Sequence, residues 1–222
     1  MIELFTSAFI TLLVIIDPPG CAPIFASLTR GGDAAHRRKM AVRSAMVAWC
    51  ILIFFAFLGQ AMLKTLGISL GSFRLAGGIM LFIIALEMVF EKRTERREER
   101  AKEIEGTPEA DDISVFPMAI PMIAGPGSIA SIMLLVGRAD GVVEWAIVLG
   151  AMTLVLVLTL LALLASAPLM KLIGAKLEAM ITRILGVILA ALAAQFVVDG
   201  LKQSFPLLTY SLMTIDSRCR SS

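Results

Sequence analysis

Ile15-Ile16-Asp17-Pro18-Pro19-Gly20-Cys21-Ala22-Pro23 sits inside an apolar run: Leu4 to Ile16 carries no charge, and neither does Gly20 to Thr29. The middle of that run nevertheless holds an acid, two adjacent prolines and a glycine. Pro18 and Pro19 lack N–H groups and their rings clash with the preceding turn, so one uninterrupted helix cannot pass without loss. The segment reads as two half-helices of about 10–13 residues, roughly 15–20 Å each. Neither alone crosses about 30 Å of hydrocarbon, but together they do. A second stretch of the same kind lies near mid-chain, Pro121-Met122-Ile123-Ala124-Gly125-Pro126-Gly127-Ser128.

The chain around these breaks has 222 residues, 58% of them hydrophobic, and a mean hydropathy of +0.88. A soluble domain of this size has no use for that much apolar surface, so an integral membrane protein is expected, with the lipid bilayer as its solvent. The net charge of +2 is gathered into short segments, which speaks against nucleic acid as a partner. Met1-Ile2-Glu3 lacks a basic start, so no signal peptide is expected. Cys21, Cys50 and Cys219 are too far apart for a CxxC motif, and no disulfide framework or metal site is expected. His36 reads as a solvated loop residue.

Walking outward, the first broken segment covers about 4–29, and plain apolar segments follow at about 44–63 and 73–90. Residues 91–112 are dense in Glu, Arg and Lys and read as a solvated cytoplasmic loop or a short exposed helix. The second broken segment covers about 113–136, followed by plain segments at about 142–165 and 182–201 and a polar tail over 202–222. The whole of 1–222 is one membrane domain: repeat 1 over about 1–90, the charged loop, repeat 2 over about 113–201, then the tail.

The halves repeat one order: broken helix, plain helix, then a helix opening on Arg-x-x-Gly, as Arg74-Leu75-Ala76-Gly77 and Arg183-Ile184-Leu185-Gly186. Three crossings per half turn the second half upside down. The fold class expected is therefore all-α, with six transmembrane helices in two inverted three-helix repeats and the first helix of each repeat broken at mid-membrane. With six crossings, fourteen of the 20 Lys and Arg residues fall on one side. That side is then cytoplasmic and both termini lie outside. A re-entrant arrangement gives a similar bias, so charge does not separate the two; the length of the broken segments favours full crossing.

Asp17-Pro18 has the grammar of a helix start, an Asx N-cap with proline at the first helical position, and Gly125-Pro126-Gly127-Ser128 is a second start. Each second half-helix then presents free N–H groups and the positive end of its dipole inside the membrane, while each first half ends there in free carbonyls. Such groups are tolerated at that depth only inside protein or against a polar cavity. Donors suit a carboxylate; carbonyls and Asp17 suit an ammonium group, H⁺ or Na⁺. The pattern describes a site for a small zwitterion. Asp17 reads equally as cap and as substrate contact, Ser128 as a backbone-bonded hydroxyl, and Gln195 as interhelical glue or a site wall. Arg74 and Arg183 are expected to snorkel at helix ends, and Glu87 to reach cytoplasmic water.

Asp17 to Phe25, Phe73 to Ile79, Pro121 to Ile129, Thr182 to Gly186 and Gln195 to Gly200 together resemble the MarC family of bacterial and archaeal inner-membrane proteins. The likeness covers nearly the whole chain. Pro19 stands where that family usually has a β-branched apolar residue, and Cys21 where it often has Asn. The resemblance implies six helices in two inverted repeats and, for some members, transport of small neutral amino acids such as glycine and alanine. It places the site on Asp17, Pro18, Gly20, Pro23, Gly125, Pro126 and Gly127; Cys21, Ser128 and Gln195 complete the candidate set.

The function expected is thus a secondary transporter of small neutral amino acids or similar small solutes, working by alternating access in the cytoplasmic membrane. An uncoupled channel and a non-transporting scaffold are the alternatives. No enzymatic activity is expected, because Asp17 has no second buried acid beside it in sequence and no histidine pair exists. No cofactor is expected beyond a coupling H⁺ or Na⁺, and a homo-oligomer is compatible with the sequence.

Overall fold

The computed structural model describes residues 1–29, 32–104 and 112–204. Expectations for Arg30, for residues 105–111 of the charged loop and for residues 205–222 of the tail, Cys219 included, lie outside the described residues. Every regular element among the described residues is helical.

Helix α1, Ile2–Ile16, ends where Asp17 turns into the left-handed region at φ 57°, and α2, Pro18–Leu28, begins at the next residue. Asp is among the few residues that adopt this conformation readily. Asp17 caps both helices. Its N–H donates to the Leu13 carbonyl at 2.9 Å, its carbonyl accepts from the Cys21 N–H at 3.0 Å, and its Oδ1 accepts from the Gly20 N–H at 3.2 Å. The break is therefore local, and Ile2–Leu28 still runs as one 27-residue span.

Helix α3, Ala34–Thr65, has 32 residues, about 48 Å at 1.5 Å per residue. Its basic first turns therefore extend beyond the hydrocarbon. Helix α4, Leu70–Val89, starts from the Ser69 cap. A corner at Glu91, φ 61°, turns the chain into α5, Lys92–Ile104.

The second break is less regular than the sequence pattern implies. Its first arm, Ser114–Ile123, is a wide-turned helix interrupted by extended backbone at Phe116 and Ile120. Each of these precedes a proline, and proline pushes its predecessor out of the helical region. Helix α6, Pro126–Val136, leaves that arm at 55°. Helices α7, Val142–Leu164, and α8, Ser166–Ser204, complete the chain, and α8 bends at Gly174, φ 68°. Among the described residues, five helices are long and apolar enough to cross a membrane, and a sixth span results if the bent pair counts as one.

Helix α4 packs along α8, the α1–α2 rod packs against α7 and α8, and the bent pair packs against α3. Gly186 of the second Arg-x-x-Gly motif, and Gly78 just after the first, explain the closeness of the α4–α8 pair, while Gly77 of the first motif faces Leu134 of α6. A Cβ on Gly186 would stand 2.8 Å from the Met88 Cβ and 3.1 Å from the Ala85 carbonyl, and one on Gly78 would stand 2.8 Å from the Val197 backbone N. Small residues let helices in lipid gain van der Waals contact that larger side chains would forbid. Large apolar side chains on the outer faces, among them Phe54, Phe57, Ile83, Leu161 and Val187, are exposed, as lipid-facing surfaces require.

Candidate functional site

Both breaks reach one cavity. Its volume is about 310 Å³, and its walls include Ile15, Ile84 and Glu87, the arginines Arg93, Arg96 and Arg97, and the start of α6 from Gly125 to Ser128. At Gly127 the second break packs against Ile15 at the end of α1 and against α4. A Cβ there would meet Ile84 Cδ1 at 2.8 Å and Ile15 Cγ2 at 3.3 Å. At the other glycine of the turn, Gly125, a Cβ would overlap the Pro121 carbonyl. The Ser128 hydroxyl donates to the Ile123 carbonyl at 2.7 Å, so it ties the α6 start back to the arm and satisfies a carbonyl the break leaves open. Pro126 has no N–H, and the N–H groups of Gly127 and Ser128 follow it at the positive end of the α6 dipole.

The other polar wall comes from α5. Arg97, 8% exposed, reaches the 1%-exposed Asp17 at 3.2 Å from Nη1 to Oδ2. Gly20 makes this approach feasible, since a Cβ there would collide with the Asp17 carboxylate and stand 3.1 Å from the Arg97 Nη1. One turn earlier, Arg93 Nη2 donates to the Ile15 carbonyl at 2.6 Å, an acceptor that the end of α1 leaves free. Burial, with Arg97 alongside, lowers the Arg93 guanidinium to about 10, so it stays charged at neutral pH. Arg96 pairs with Glu87 at 2.8 Å.

The charged segment is the short helix that the sequence allows, with Lys92, Glu95, Arg96, Glu98 and Glu99 exposed, but one face of it is not solvated. It folds back at Glu91 and sets Arg93, Arg96 and Arg97, at i, i+3 and i+4 on one face, against the breaks. Sequence reasoning missed these three residues, although that spacing directly after an apolar helix was the available signal. Glu87 faces the cavity rather than open water, its side chain being only 18% exposed. Arg183 pairs with Glu91 at 2.6 Å.

Of the residues chosen from sequence, Gly125, Pro126, Gly127 and Ser128 line the cavity, and Asp17 touches it through Arg97. Pro18 and Gly20 are buried behind Asp17, and Pro23 is half-buried further along α2. Cys21 is fully buried, its Sγ donating to the Ile16 carbonyl at 3.4 Å. Gln195 is elsewhere: its amide donates to Asp199 at 2.8 Å, and Asp199 also pairs with Arg138 at 2.5 Å. Arg138 in turn lies over the Phe196 ring, 4.8 Å from its centroid. This cluster joins the far ends of α6 and α8.

The family model described as "MarC family integral membrane protein" matches residues 2–205. The chain is 36% identical to an Archaeoglobus fulgidus protein called "UPF0056 membrane protein", over 91% of this chain and 94% of that one. It is likewise 36% identical to the Bacillus subtilis "UPF0056 membrane protein YvbG", over 94% and 99%. To the Escherichia coli "UPF0056 inner membrane protein YhgN" it is 30% identical over 88% and 95%. No solved structure matches the chain.

Proposed function

We propose a transport function for this chain, which belongs to the MarC family of integral membrane proteins. On this reading it is a secondary transporter of small neutral amino acids or similar small polar solutes, not an enzyme. The observation that carries the reading is the cavity itself, where the two chain breaks and three arginines converge. A carboxylate fits the α6 start and the guanidinium edges, and an ammonium group fits the Glu87 carboxylate. Pockets of roughly 300–1,000 Å³ are the usual size for small-molecule sites, and a small amino acid with a few waters fills this one.

Alternating access needs two closures that open in turn. Helix α5 supplies one, through Arg97–Asp17 and the Arg93 bond to Ile15. The Arg138–Asp199 pair at the other end of α6 and α8 supplies the second. The helix packing favours an inverted repeat. Exchanging the halves turns the contact of α1–α2 with α7 into that of the bent pair with α3, and turns the α4–α8 contact into itself. With six full crossings, the Lys/Arg balance favours α5 on the cytoplasmic side and both termini outside, and the inner-membrane name of YhgN favours the cytoplasmic membrane as the location.

Uptake of labelled glycine, alanine and larger amino acids into proteoliposomes, with and without H⁺ or Na⁺ gradients, tests the reading. Gradient-driven accumulation is expected. Dissipation without accumulation would make the protein a channel, and absence of flux across the panel would make it a scaffold. A reporter fused after Ser222 is expected outside, and a cytoplasmic signal would defeat the inverted repeat.

A further inference from the structure

A second crevice, on the side of the chain where α2 ends and α3 begins, plays no part in the transport reading. It has a volume of about 330 Å³ and is lined by Phe25, Arg37, Arg38, Leu163 and Ser166, among others. Arg38 also borders a longer depression of about 780 Å³ that runs down one face of α3 past Lys39, Arg43, Met46 and Cys50 to Ile51. The two meet at Arg38, so a basic head crevice continues into an apolar track.

Arg37, Arg38, Lys39 and Arg43 fall within seven consecutive residues. The nearby acids neutralise little of this charge. Asp33 spends its carboxylate on the His36 N–H, and Asp112 pairs with Arg43. Arg37, Arg38 and Lys39 have no carboxylate partner among the described residues. Below them Val42, Met46, Val47, Cys50 and Ile51 recur at intervals of three and four, which puts them on one helical stripe. From Lys39 to Ile51 the helix rises about 18 Å, a little more than the roughly 15 Å depth of one hydrocarbon leaflet.

We propose that this crevice and track bind an anionic glycerophospholipid, with its phosphate on Arg37 and Arg38 and one acyl chain along the α3 stripe. Guanidinium groups present a planar fork that matches phosphate oxygens. Basic pockets at helix ends on the cytoplasmic face are where anionic headgroups gather. Charge complementarity chooses the lipid over a zwitterionic one, and the apolar track chooses it over free phosphate. Because Phe25 and Arg37 belong to the first half and Leu163 and Ser166 to the second, the headgroup sits on the seam between them.

Native mass spectrometry of protein equilibrated with equal amounts of phosphatidylglycerol and phosphatidylcholine reads the preference. Phosphatidylglycerol is expected to be retained selectively. Arg37→Gln with Arg38→Gln lowers its retention about thirtyfold, the weight of two interfacial cations, while Lys64→Gln at the opposite end of α3 leaves it unchanged. Equal retention of both lipids, an unaltered preference in the double variant, or displacement of the lipid by inorganic phosphate would overturn the site. A second readout needs no change in the basic cluster. In a Trp145→Phe protein, brominated-chain phosphatidylglycerol is expected to quench Trp49, next to Cys50, at a lower mole fraction than brominated phosphatidylcholine. Equal quenching by the two would overturn the site as well.

Discussion

Replacing Arg97 by Gln tests whether α5 is fastened to the first break by charge. The pair is buried at both ends, Arg97 at 8% and Asp17 at 1% exposure, and its contact distance is 3.2 Å. At that distance and an effective dielectric constant of about 20, the attraction is about 5 kcal/mol before desolvation is subtracted. Removing one partner strands the other, which costs about 3–5 kcal/mol for a buried pair. Gln keeps a donor and Asp17 keeps its Gly20 bond, so the lower end, about 3 kcal/mol, is expected. Asp17→Asn removes the opposite charge yet still caps a helix well. The double variant should therefore cost less than the sum of the singles, with a coupling of about 2 kcal/mol. Reversible unfolding of the detergent-solubilised protein, run as a double-mutant cycle, measures this directly. Losses that add to within about 0.5 kcal/mol would mean that Asp17 and Arg97 are neighbours rather than partners, and α5 would lose its role as a closure.

Three further outcomes follow from the same geometry. In a Cys219→Ser background, Cys21 should resist a polar thiol reagent in the wild-type protein and gain at least several-fold reactivity with Arg97→Gln, whereas exposed Cys50 should take an apolar maleimide in both; a Cys21 that labels equally in both would leave α5 uninvolved in access. Gly125→Ala should destabilise by about 1–3 kcal/mol, read as a lower melting temperature, because the atom its Cβ meets is the Pro121 carbonyl rather than a flexible side-chain end; an unchanged melting point would refute the tight turn. The Ser114 hydroxyl beside Asp112, with Arg43 nearby, holds that carboxyl below its ordinary 3.8. Its folded value is the depressed one, so its contribution is present above about pH 4 and fades as pH falls through the lowered value. Hydrogen exchange at the Ser114 amide should therefore gain an extra acceleration as pH falls below about 4, and Asp112→Asn should abolish that step.

The breaks were legible because proline and glycine act locally. Asp17-Pro18 and Gly125-Pro126 dictate their own backbone whatever packs around them, and the structure puts a helix start at each. The Arg-x-x-Gly repeats were legible as a pattern, and the α4–α8 contact supplies the physical reason for Gly186, whereas Gly77 packs toward α6. The arm before α6 was less so, since Pro117 and Pro121 together with two extended residues make a chain that periodicity does not describe. The α5 arginines escaped because charge density alone reads as solvation. What holds Arg93 and Arg97 against the break is a corner at Glu91 and acceptors 78 and 80 residues away in sequence. Gln195 was chosen for its depth in an apolar helix, but its partner Asp199 lies one turn further along the same helix, toward the end that holds Arg138.

The two breaks differ in mechanical kind. At Asp17 a single residue caps both neighbouring helices, and they continue as one span. At Gly125 the chain turns through 55° after an arm that regular helical bonds do not stiffen. A load applied across the cavity therefore bends one wall far more readily than the other. The first half serves as a rail, its two helices joined end to end by the bonds that Asp17 makes to both. The second is a jointed lever, whose α6 start can swing against that rail at the price of a few side-chain contacts around Gly127. In the transport cycle proposed above, the two halves would divide the labour unequally, the rail keeping register and the lever making the stroke.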